Sequence, residues 1–92
     1  MSATDALKNH AESKTEKLHK FIHGSFSVDW VLVVEAKEHV AEVRVHGPHI
    51  DYFALAKTPD MYRSIDDAVD KMETQLRKHK ETVKDHLHRN RS

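Results

Sequence analysis

The run Val40-Ala41-Glu42-Val43-Arg44-Val45-His46-Gly47-Pro48 decides the fold. Ala41, Val43 and Val45 alternate with Glu42, Arg44 and His46, the period of two that turns one face of a strand to a core and the other to water. Gly47-Pro48 then ends the pattern, because Pro cannot donate to a sheet ladder. Upstream, Phe26-Ser27-Val28-Asp29-Trp30-Val31-Leu32-Val33-Val34 predicts a strand with its even-numbered residues inward and Val31 and Val33 on the other face. Ala36 to Glu38 is the expected turn between the two. Downstream, Ile50, Tyr52, Ala54 and Ala56 supply the inward face of a third strand. The result is an antiparallel meander.

Helical patterns flank it. Thr4-Asp5-Ala6-Leu7 reads as a helix start, with Thr4 as cap and Asp5 at the positive end of the dipole. Leu7, Ala11, Leu18, Phe21 and Ile22 follow at helical spacing, and Gly24 is placed to end that helix in a left-handed conformation. Thr58-Pro59-Asp60 opens the second helix, with Thr58 as cap and Pro59 in the first turn. Tyr62, Ile65, Val69, Met72, Leu76, Val83 and Leu87 then carry an apolar stripe through a helix of about 30 residues, roughly 45 Å long. The expected architecture is α+β in the order α-β-β-β-α, a three-stranded antiparallel sheet with both helices on one face. Residues 1–92 are expected to form a single domain.

The composition narrows the class. The 92 residues are 38% apolar and 33% charged, with two Gly and two Pro, the balance of a helix-rich globular domain. The absence of cysteine excludes disulfides, thiolate metal sites and thiol nucleophiles, and fits a reducing cytoplasm. No apolar run reaches the ~18 residues of a membrane span, and the N-terminus lacks a signal-peptide pattern. A cytoplasmic protein without membrane contact is expected.

Charge is unevenly spread. Residues 77–92 hold six Lys/Arg (Arg77, Lys78, Lys80, Lys84, Arg89 and Arg91) against Glu81 and Asp85, a net of +4. The preceding 76 residues carry nine basic and thirteen acidic side chains, a net of −4, so a formally neutral chain is a strong dipole. Clustered Lys and Arg bind nucleic acid by displacing counterions from phosphates, whereas basic residues at a helix C-terminus also compensate its dipole. On the first helix, Lys8, Lys14, Lys17 and Lys20 include positions that can face outward beside this track, with Glu12 and Glu16 among them.

Asp60-Met61-Tyr62-Arg63-Ser64-Ile65-Asp66, then Asp70-Lys71 and Gln75-Leu76-Arg77-Lys78-His79-Lys80, resembles the hibernation promoting factor family of bacterial ribosome-binding proteins. These are also called ribosome-associated inhibitors or sigma-54 modulation proteins. Thr4-Asp5-Ala6-Leu7-Lys8, with Lys14, Lys17 and Leu18, is similar to the family's first helix. The resemblance implies a β-α-β-β-β-α fold, and this chain starts where the family's first strand has ended. It would be a short form, without the family's dimerisation domain. The resemblance also implies binding to ribosomal RNA of the small subunit at the decoding region, steric exclusion of messenger and transfer RNA, and translation regulation through ribosome hibernation under stress and in stationary phase. The residues expected to touch RNA are Lys8, Lys14, Lys17, Arg77, Lys78, His79, Lys80, Lys84, His86 and Arg89.

Other chemistries are weaker. Nine histidines include His19 with His23, four apart, and His46 with His49 around Gly47-Pro48, but no acidic or cysteine partner stands at a ligand spacing. No metal, cofactor or catalytic residue is expected. Histidines that gain charge near pH 6, His79, His86 and His88 above all, are read as a source of pH-sensitive RNA affinity. Asp60, Asp66, Asp67 and Asp70 are explained by the positive end of the second helix, and Tyr62 and Trp30 as core. The rival reading is a protein-interaction module without RNA binding, forming a homodimer through the strand edge of residues 26–36. A third, the double-stranded-RNA-binding domain, shares the element order. It needs lysines where Pro59-Asp60 begins the last helix with acid.

Overall fold

The computed structural model describes the backbone of residues 2–22, 24–48 and 50–91, and the side chains of residues 5–22, 24–48 and 50–79. Helix α1 (Ser2–Leu18) passes into a 3-10 turn (His19–Phe21), then strands β1 (Ser27–Glu35), β2 (Glu38–Gly47) and β3 (Ile50–Thr58), and helix α2 (Met61–Arg91). The expected order α-β-β-β-α is the order found, and the sheet runs β1-β2-β3 with both pairings antiparallel.

The alternation in β2 sets the sheet's two faces. Ala41, Val43 and Val45 are fully buried, and Ala54 and Ala56 complete the same face from β3. Pairing is uninterrupted from Ser27 opposite His46 to Glu35 opposite Glu38. Between these strands Ala36 sits at φ 53°, where a side chain costs about 1–2 kcal/mol relative to right-handed backbone. At the other end of β2, a Cβ on Gly47 would lie 3.0 Å from the Ser25 carbonyl oxygen. Alanine there would push two backbone segments apart.

Helix α2 lays Met61, Ile65, Ala68, Val69, Met72 and Leu76 on β2 and β3, and α1 adds Ala11 and Leu18. Leu18, Ile65 and Met72 are wholly buried, and each contributes roughly 1.5–3 kcal/mol. Since α1 packs on α2, strand β1 is left largely uncovered. One polar tie spans that opening: the Trp30 indole N–H donates to Thr15 Oγ1 at 2.9 Å, and Thr15 donates to the Ala11 carbonyl.

Three expectations are corrected. Helix α1 begins at Ser2, which places Thr4 within the helix rather than at its cap. Helix α2 begins at Met61 and is capped by Asp60, whose carboxylate accepts the Tyr62 N–H at 3.2 Å; Thr58 remains in β3 and its hydroxyl accepts the Asp60 N–H at 3.1 Å. This start turns Met61 into the core at 5% exposure and Tyr62 out to 41%. Ser64 is buried beside Met61's stripe because its hydroxyl donates to the His39 carbonyl at 2.6 Å. In β1, Val28, Trp30 and Leu32 are half-buried as the alternation requires, but Val34 is 58% exposed because neither helix reaches over it. Val83 and Leu87 lie outside the described side chains.

Reversals of direction at each connection leave α1 and α2 parallel. His10 meets Asp66 and Phe21 meets Arg77, two contacts with the same separation in sequence. The start of α1 therefore lies beside the start of α2, and their later turns lie together.

Candidate nucleic-acid interface

Parallel packing turns two separate sequence features into one surface. Lys17 and Lys20 are exposed at the end of α1 and in the 3-10 turn, alongside exposed Arg77 and Lys78 on α2. The Arg77 guanidinium stands 5.8 Å from the centroid of the Phe21 ring, a cation–π contact that fixes the cation at the helix–helix seam. His79 is half-buried, with Nδ1 3.0 Å from the Tyr52 hydroxyl, which anchors α2 to β3 where the strand begins. The Gly47-Pro48 end of β2 belongs to the same end of the sheet, since Gly47 is paired with Ile50.

Acid gathers at the opposite end. Asp60 caps α2, where the helix dipole favours it, and Asp66, Asp67 and Asp70 follow in the second and third turns. Asp66 also binds α1: His10 Nε2 lies 2.7 Å from its Oδ1 and Lys14 Nζ 3.5 Å away. Desolvation raises this carboxyl, but the His10 hydrogen bond and the charges of Lys14 and His10 together outweigh it and hold the group below the usual range. The edge of the His10 ring also meets the Tyr62 ring, with centroids 5.0 Å apart.

The sequence-predicted residues thus separate. Lys17, Arg77, Lys78 and His79 come together at the basic pole. Lys14 is half-buried and engaged by Asp66, and Lys8 is exposed nearer the acidic end, bordering the groove between α1 and β1. Lys80, Lys84, His86 and Arg89 belong to α2, but their side chains lie outside the described residues, as does that of His88. Phe21 and Tyr52, read from sequence only as apolar positions, prove to hold Arg77 and His79. Counting chain reversals in the predicted element order would have signalled this neighbourhood.

Among the described residues no group of three or more His, Cys, Asp or Glu is arranged to hold a metal. His19 packs its ring against Phe26 at 4.8 Å, and His46 bonds Asp29 at 3.0 Å; His23 and His49 lie outside the described residues. No helix among the described residues is long and apolar enough to cross a membrane.

Comparison with known proteins agrees with this architecture. A ribosome hibernation promoting factor of Escherichia coli (strain K12) is 35% identical over 83 residues, spanning 90% of this chain and 87% of that protein. A ribosome hibernation promotion factor of Bacillus subtilis (strain 168) is 34% identical over 86 residues, spanning 90% of this chain and 46% of that longer protein. Among solved structures, the Thermus thermophilus Protein Y N-terminal domain superposes with a TM-score of 0.76 at 31% identity, covering 82% of this chain and 83% of that one. A ribosomal subunit interface protein from Coxiella burnetii gives a TM-score of 0.67 at 29% identity, with 82% of each chain covered. The family pattern described as Sigma 54 modulation protein / S30EA ribosomal protein matches residues 1–84, which take in α1, the whole sheet and most of α2, and the chain belongs to that family.

Proposed function

We propose that this protein is a ribosome-associated hibernation factor whose basic pole binds small-subunit ribosomal RNA at the decoding region and sterically excludes messenger and transfer RNA. The observation that carries the reading is the convergence of Lys17 and Lys20 with Arg77 and Lys78 through parallel helices, in a chain whose relatives are named for ribosome hibernation. Binding of this kind needs phosphate neutralisation and a rigid body of the right shape. It requires no catalytic group, metal or cofactor.

Co-sedimentation with purified small subunits tests it. About four phosphate contacts give a log–log salt slope near −3, so affinity should fall roughly 50-fold to 100-fold between 50 and 200 mM salt. Changing exposed Lys17, Lys20 and Lys78 together to Ala should abolish co-sedimentation while the circular dichroism spectrum is kept. A folded triple variant that sediments like the parent overturns the basic-pole assignment. Competition by messenger RNA and initiator transfer RNA for the bound protein tests the steric part; bound protein indifferent to both would place it elsewhere on the subunit.

A further inference from the structure

Strand β1 lies at the edge of the sheet. Among the described residues β1 pairs only with β2, so one side of this nine-residue strand has no ladder partner. Most of the usual protections of an edge are missing: Ser27–Glu35 contains no Pro, Gly or Lys, its pairing with β2 has no bulge, and its two charges, Asp29 and Glu35, leave the stretch from Trp30 to Val34 uncharged. Beside the edge runs an open groove of about 790 Å³ between α1 and β1, with Leu7, Ala11, Val28, Trp30, Leu32 and Val34 in its lining. On the opposite face of the same strand Val31 and Val33 are 49% and 41% exposed.

The pattern of β1 says what fits there. In an antiparallel pair of two copies centred on Val31, Val31 meets Val31 of the second copy. Trp30 then meets Leu32, and Val28 meets Val34, so every pair on the groove side is apolar. On the other face Asp29 meets Val33 and Ser27 meets Glu35. No two like charges stand opposite each other. The strand is its own complement about Val31.

We infer that two copies of this chain associate through their β1 edges, antiparallel about Val31, extending the sheet from three strands to six. The twofold axis is normal to the sheet, so the four helices share one face and the two α1–β1 grooves merge over the new pair. The inference does not rest on RNA binding, because Val31 and its strand hold none of Lys17, Lys20, Arg77 and Lys78.

Sedimentation equilibrium of the 92-residue chain over micromolar to millimolar concentration should show a monomer–dimer equilibrium. Val31→Lys places two cations face to face at the axis and should weaken dimerisation at least tenfold; Val31 is exposed, so the fold tolerates the change. The register has its own test, since the chain has no cysteine to interfere. Val31→Cys puts the two sulfurs directly across the axis, within disulfide reach. Val33→Cys puts them about four residues, roughly 13 Å, apart along the strands. Rapid oxidative cross-linking of the first variant and not the second is expected. A monomer at millimolar concentration overturns the inference, as does a dimer indifferent to Val31→Lys or one in which V31C cross-links no faster than V33C. A monomer that instead captures an extended, alternately apolar peptide on this edge would also overturn it, by giving the edge to a different chain.

Discussion

Asp66 holds the two helices in step with one carboxylate. Its partners His10 and Lys14 come from the other helix, and together they outweigh the desolvation that would raise it. Because the folded carboxyl titrates below its unfolded value of about 3.9, its stabilisation is fully present above about pH 4 and is lost as pH falls through the folded value. The side chain is 43% exposed, so solvent screening limits the pair to about 0.5 kcal/mol. Asp66→Asn should therefore lower the urea midpoint modestly at pH 7 and by less at pH 3, where more of the carboxyl is protonated. An equal loss at both pH values would show that shape, not charge, matters here. Sequence alone explained Asp66 by the helix dipole; its partner lies 56 residues away, and long-range pairs leave no mark on local spacing.

At the scale of elements, the strands were the most legible part. Alternation in β2 and β3 named Ala41, Val43, Val45, Ala54 and Ala56 correctly, because a period of two admits only one phase when one face is buried. The start of α2 was misread by a short step, since Thr58 and Asp60 can both cap and the chain uses Thr58 to support Asp60. That step exchanged Met61 for Tyr62 in the core. The two positions should accordingly answer differently to truncation. Met61→Ala, at 5% exposure in the core, should cost about 2–5 kcal/mol in chemical denaturation. Tyr62→Ala, which loses only an edge contact with His10, should cost about 1 kcal/mol or less. Comparable losses would return Tyr62 to the core. The open flank of β1 was legible as an edge, but the groove beside it was not: it depends on α1 leaning on α2 rather than on the sheet.

For the whole molecule, the helix direction matters beyond packing. In an antiparallel pair the backbone dipoles cancel; here they add, and each helix contributes about half a negative charge at its C-terminal end. Six basic side chains against two acidic ones on residues 77–92 exceed that backbone contribution several-fold, so the side chains decide the sign of the field. The molecule is also long, 55 × 22 × 17 Å, which gives that field leverage. A neutral rod of this kind feels little net pull from a distant polyanion but a torque that turns its cationic tip forward before contact. Orientation of this sort acts on the rate of arrival, not on the lifetime of the complex. Stopped-flow association with small subunits should therefore slow about tenfold between 50 and 200 mM salt when the exposed cations are intact. Reversing Lys17 and Lys78 to Glu should flatten that dependence, while a salt-insensitive parent would mean that the chain reaches its target by random collision.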